Sequence, residues 1–281
     1  MVHKLLHPHR LYTLFKYAVY LALLWNVWLF FEEDWSASVV LLDPGSGLRR
    51  FIEVFAQTID TVAWVLLLAL FELETSVLPD STLRRRRVQW TLHGIRAVCA
   101  LVILNSLAGY AGKYLGYLDA EPLEAGACAL AHSGWFLLEG LDEFSALDAD
   151  NCTALAGGEL YRLRTESIVA PAAVLAQSRH LALLDVVNAA AWILVVLLLE
   201  AEVRLQVRGA LGGMLLRLGA LLKSVVYAVL LCAAVYWGFV GDFLDFWDAF
   251  LWLLAFVFIE LNIFQWQEES EQLGRVPVVR A

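Results

Sequence analysis

Phe55-Ala-Gln-Thr-Ile-Asp60-Thr-Val-Ala-Trp64-Val-Leu-Leu-Leu-Ala-Leu-Phe-Glu72-Leu-Glu74-Thr-Ser76 is an apolar run of the length that crosses a bilayer, about 20 residues for ~30 Å of hydrocarbon. It carries groups that are costly at that depth: Asp60, Glu72 and Glu74, with Trp64 among them. The spacing Asp60-x3-Trp64-x7-Glu72-x-Glu74 returns without gaps as Asn188-x3-Trp192-x7-Glu200-x-Glu202, and again as Asp248-x3-Trp252-x7-Glu260-x-Asn262. Self-similarity of this kind marks a repeat architecture.

Each copy is preceded by a second apolar segment. Arg10-Leu-x2-Leu-Phe-Lys16-x2-Val-Tyr20 matches Arg217-Leu-x2-Leu-Leu-Lys223-x2-Val-Tyr227, and a weaker copy keeps Arg96 in Ile95-Arg96-Ala-Val98. The unit is a helical hairpin with a cation early in its first helix and a glutamate late in its second. Six membrane segments follow, near residues 14–31, 55–76, 92–111, 181–203, 218–239 and 246–265. The sequence therefore predicts an all-α integral membrane protein. Its three tandem hairpins are related by a pseudo-threefold axis within one membrane domain, residues 1–281. Repeat one covers 10–78, repeat two 90–205 and repeat three 217–266, with 267–281 as a cytoplasmic tail. Residues 114–180 form an extracytoplasmic insertion in repeat two.

Composition agrees: 60% of the residues are hydrophobic, 17% are charged, and the mean hydropathy is +0.67. The first segment has no small-residue cleavage site after it, so it reads as a retained helix rather than a signal peptide. Basic residues gather on one side of the six segments: Lys4 and Arg10, then Arg84 to Arg87, then Arg204, Arg208 and Arg217, and finally Arg275 and Arg280. That side is predicted cytoplasmic, together with both termini. The other side is acidic: Glu32, Glu33 and Asp34; then Glu121, Glu124, Glu139, Asp142, Glu143, Asp148 and Asp150; then Asp242 and Asp245. Arg49 and Arg50 fall there against the rule. The Ala/Leu/Arg-rich composition reads as bacterial, which places the chain in an inner membrane. The net charge of −9 lies mostly on the acidic side, where it raises local cation concentration. No exposed basic surface suits nucleic acid. The four consecutive arginines read as a topology anchor beside anionic lipid.

Cys99 and Cys232 fall in helices and read as small packing residues. Cys128 and Cys152 share the insertion, and an oxidising exterior predicts a disulfide between them. Asn151-Cys-Thr153 matches a glycosylation sequon, which a bacterial origin would leave unused. The stretch His132-Ser-Gly-Trp-Phe-Leu-Leu-Glu-Gly-Leu-Asp-Glu-Phe144 is apolar enough to pack on the membrane domain.

A helix turns about 100° per residue, so with Asp60 at zero, Trp64 falls near 40°, Glu74 near −40° and Glu72 near 120°. Two faces with two tasks are expected. Glu72, Glu200 and Glu260 pair with Lys16, Arg96 and Lys223 and lock helices together. Asp60, Trp64, Glu74, Asn188, Trp192, Glu202, Asp248, Trp252 and Asn262 line a shared pathway. Acidic rings attract cations. The leading reading is a channel or pathway for small cations or protons. The alternative is a non-transporting scaffold or sensor whose acidic, disulfide-bearing outer loop binds a partner. The partners expected are the bilayer, a small cation or proton, and a second copy or membrane subunit. No catalytic or metal-binding signature is present: His3, His7 and His9 sit at a terminus, and there is no HExxH, CxxC, GxSxG or phosphate loop. No cofactor is expected.

Overall fold

In the computed structural model the described residues are 8–42, 45–83, 85–124, 126–131, 133–155, 157–164, 166–207, 213–241 and 243–275. His3, Lys4, His7, Arg84, His132, Arg208, Asp242 and Arg280 lie outside them, as do the side chains of His9, Arg10, Asn262 and Arg275. The elements run α1 (Pro8–Leu41), α2 (Leu48–Val54), α3 (Ala56–Glu72), a π-helical turn (Leu73–Val77), α4 (Asp80–Leu83) and α5 (Arg86–Leu118). Next come β1 (Glu121–Pro122), a 3-10 turn (Ala127–Ala129), β2 (Phe136–Gly140), β3 (Glu143–Ala146), α6 (Ala149–Ala154), β4 (Leu160–Arg162) and β5 (Ile168–Pro171). The chain closes with α7 (Ala172–Val207), α8 (Gly213–Val240) and α9 (Phe243–Arg275).

Among the described residues five helices are long and apolar enough to cross a membrane: Leu11–Leu41, Ala56–Thr75, Arg86–Leu118, Ala172–Glu202 and Arg217–Val240. The expected sixth segment is helical within α9 but is not one of these five. Leu14, Leu21, Trp25, Leu104, Leu197 and Phe239 are exposed on these long helices. An apolar surface of this kind suits lipid rather than water.

The all-α expectation is corrected by a five-stranded mixed sheet inside the 114–180 insertion, in the order β1-β4-β5-β2-β3. β2 and β5 are parallel; the other neighbours are antiparallel. Its strands are short, and the adjacent β2 and β5 carry consecutive buried residues, so those two lack the alternation that betrays a half-exposed strand. Successive residues point to opposite faces. Leu138, Ile168 and Ala170 join one core with Tyr117 of α5 and Leu175 and Ala182 of α7. Leu137 and Val169 join the other with Ala127, Leu147 and Cys152. One face therefore seats the sheet on the ends of α5 and α7, and the other is capped by the 3-10 turn and α6. α6 begins with a capping box: the Asp148 side chain accepts from the Asn151 backbone, and Asn151 Oδ1 accepts from the Asp148 backbone at 2.9 Å.

The chain divides into two compact units, one of Met1–Asn26 with Leu230–Ala281 and one of Val27–Val229. In the second, α5 packs against both α3 and α7. A Cβ at Gly109 would lie 3.1 Å from that of Ala56, so glycine there permits the close approach of α5 and α3. In the first, Tyr12 and Phe15 make edge-on ring contacts with Phe258, which joins α1 to α9.

Candidate functional site

The repeated polar residues occupy seams between helices. Within Val27–Val229, Arg96 Nη2 on α5 donates to Glu74 Oε2 at 2.5 Å, and Lys223 Nζ on α8 donates to Glu202 Oε2 at 2.7 Å. The expected pairing is thereby corrected for these two cations. Their partners are Glu74 and Glu202, each two residues beyond the expected Glu72 and Glu200. Two residues along a helix is a rotation of about 200°, so the two glutamates of a copy cannot serve the same neighbour. Glu72 is buried, while Glu200 is exposed and pairs with Arg204 one turn on, at 2.6 Å. Glu260 is half-buried. Lys16 is buried, with its ammonium 5.2 Å from the Tyr17 ring and 5.9 Å from the Tyr20 ring.

In the other unit Asn26 Nδ2 donates to Asp248 Oδ1 at 2.8 Å, and Trp252 hydrogen-bonds the same carboxylate. Trp64, Trp192 and Trp252 are all buried, and Asp60 and Asn188 are half-buried. Glu74, Glu202 and Asp248, three of the residues expected to line a pathway, thus each engage another helix. Low dielectric strengthens such contacts and makes an unpaired charge expensive, so pairing is the arrangement expected there.

A second constellation stands where the sheet meets the helices, and the sequence reading missed it. Asp34 Oδ2 on α1 accepts from Thr58 twice, from the backbone at 3.0 Å and from the hydroxyl at 2.6 Å. Lys113 on α5 donates to Asp142, and Asp185 and Asp34 also act on it electrostatically. Asp142 holds φ 63° in the β2–β3 turn, a conformation unusual for a residue with a side chain. Arg50 on α2 donates to Glu166 in the β4–β5 connection and, at 3.4 Å, to Glu53. Arg49 reaches Glu53 as well, at 3.1 Å. Two cavities adjoin here, of about 200 Å³ and about 400 Å³, and share Leu41, Arg50, Glu53 and Glu166 as walls. The visible signal is Arg49-Arg50 itself, two cations on the side that the charge pattern predicts to be outside. Glycines at 109, 112 and 116 are a second: a Cβ at Gly112 would lie 3.2 Å from Glu53 Oε1.

The sheet domain carries its own cross-link. Cys128 and Cys152 form a disulfide with Cα atoms 5.0 Å apart, which joins the 3-10 turn to α6. Cys99 is buried and free, and Cys232 is exposed and free. Asn151 of the sequon is engaged in the α6 cap, and its Nδ2 donates to the Ala146 carbonyl at 2.8 Å. On the domain surface Glu121 accepts from Arg164 and Arg162, which holds its carboxyl below the usual glutamate range. No protein-family model matches this chain, and no curated protein or solved structure proved similar to it.

Proposed function

We propose that this protein is a non-transporting membrane scaffold or sensor, whose disulfide-bearing sheet domain faces the exterior and recognises a partner there. What carries the reading is the insertion itself: a folded five-stranded domain with a core on each face and a disulfide. A connecting loop needs none of these. Their presence favours a recognition module.

The helices act as its mount. Three tandem hairpins are part of this reading, and their seams support it. Glu74 meets Arg96 and Glu202 meets Lys223 at equivalent positions of successive copies. Asn26, Ser106 and Ala233, each ten residues beyond Lys16, Arg96 and Lys223, are all fully buried. Equivalent charges spent on helix packing leave fewer for a cation path. The charge pattern along the chain favours both termini inside and the domain outside.

The test is ion flux through the full chain in liposomes under imposed K⁺, Na⁺ and proton gradients. It is paired with a folded variant carrying Asp60→Asn, Glu74→Gln and Glu202→Gln. No flux above empty liposomes is expected from either. Cation flux in the wild type that the variant loses or changes in selectivity would overturn the proposal in favour of a conducting pathway.

A further inference from the structure

We propose that the two adjoining cavities at the base of the sheet domain bind a small organic cation, an ammonium head on an apolar body, and that Arg50 is the internal competitor which that ligand displaces. The inference rests on the recognition reading and supplies its ligand class.

The shared wall is unevenly charged. One guanidinium, Arg50, serves two carboxylates, Glu53 and Glu166, both largely withdrawn from solvent. Glu53 has a second cation in Arg49; Glu166 has Arg50. An ammonium arriving at Glu166 would take over a charge-assisted contact of the type Arg50 now makes, while Arg50 stays with Glu53. The larger cavity, about 400 Å³, falls in the size range of small-molecule sites. Its walls include the half-buried Val40, Leu41 and Phe136, which would cover an apolar body, with Ile168 itself fully buried and Ser167 among the polar groups.

Two further observations select this class. Residues 119–171 hold ten carboxylates against two arginines, a balance of −8 in a chain whose total is −9. Such a field draws cations toward the domain and repels anions. Moreover, no large hydrophobic residue is exposed among the described residues of 119–171. Large apolar side chains among those residues are buried or half-buried, which favours contact within a recess over contact on a flat apolar face. Because Glu166 belongs to the sheet domain and Arg50 to α2, occupancy would also release one tie between the domain and its mount.

The experiment is calorimetric titration of the full chain in lipid nanodiscs with phenethylammonium, and with 3-phenylpropionate as the anion of similar shape. Saturable binding of the ammonium alone is expected. Glu166→Gln should weaken it about tenfold, the scale of one hydrogen bond to a charged group. Arg50→Gln, which removes the competitor, should tighten it several-fold, a direction that damage to the fold would not produce. Glu139→Gln lowers the domain's charge equally but lies off the cavity walls, and should leave affinity within about twofold. The inference is overturned by no saturable ammonium binding to folded wild type, by preferred binding of the propionate, by unchanged or weaker binding in Arg50→Gln, or by equal loss in Glu139→Gln. Failure here with no ion flux leaves the recognition reading standing. Flux removes that reading whatever the titration shows.

Discussion

Glu202 and Glu121 are both glutamates held by cations, in opposite surroundings. Glu202 meets Lys223 between two long apolar helices, both side chains mostly withdrawn at 22% and 16% exposure. Glu121 lies on the sheet domain, where Arg162 and Arg164 hold it from side chains half or more exposed. In the first place charges are scarce and the pair joins two helices, as Arg96 and Glu74 also do, so losing one partner there is costly. In the second it is one of many charges on a wet surface, and geometry is set by apolar cores and a disulfide beneath it. The same chemistry thus acts as register among the helices and as trim on the domain. The two regions should respond to different injuries.

The largest effect is expected from the domain core. Leu138 is wholly buried, and Leu138→Ala should cost about 3–4 kcal/mol through lost contacts and a residual cavity. Proteolysis should then cut within residues 119–171 while helical circular dichroism is retained. Loss of helical signal in step with cleavage would break the comparison, since the two regions would be one cooperative unit. Next comes the disulfide, which closes a segment with a sequence separation of 24. Cys128→Ser with Cys152→Ser should destabilise the domain by about 3 kcal/mol, with the same local signature.

The helical seam comes third. Glu202→Gln should cost about 2 kcal/mol in denaturant titrations of the detergent-solubilised protein, because Lys223 keeps its charge in a low-dielectric setting. Adding Lys223→Gln should recover part of that loss, which separates an uncompensated charge from lost packing. The adjacent Glu200 sharpens the contrast. Its partner Arg204 is 69% exposed, so Glu200→Gln should cost less than about 1 kcal/mol. Equal costs at Glu200 and Glu202 would show that the repeat carries no seam.

What could be read from the sequence follows the same division. Long apolar runs and the paired cysteines of the insertion are local signals, and the helices and the disulfide follow from them. The sheet is different. Ile168-Val-Ala-Pro171 is buried on nearly every side, so it shows no period, and Phe136–Gly140 reads as an apolar patch until a parallel partner 32 residues on is known. At the seams, a rotation of about 200° puts Glu74 and Glu72 on different faces. Rotation does not say which neighbour each face meets, and it is Glu74 and Glu202 that accept from Arg96 and Lys223. Arg50 was visibly out of place, yet its partner Glu166 lies 116 residues away, beyond any local pattern.

The smallest effect is at Glu121, and its sign is fixed by the shift. The carboxyl is held below its ordinary range by hydrogen bonds from Arg164 and then Arg162, so the folded state binds its proton more weakly than the unfolded chain does. Its contribution is therefore fully present above the ordinary glutamate value of about 4.3, and is lost as pH falls through the lower folded value. Because β1 joins the sheet through the pairing of Glu121 with Arg162, the loss should appear first as fraying of that edge. The protection of the Glu121 and Leu123 amides, taken against the intrinsic exchange rate at each pH, should fall below about pH 4 in the wild type. In Glu121→Gln that protection should already be lower at neutral pH and change little on acidification. Equal acid sensitivity in the two proteins would assign the fraying to other carboxylates, and would leave Glu121 as surface charge with no part in holding the edge strand.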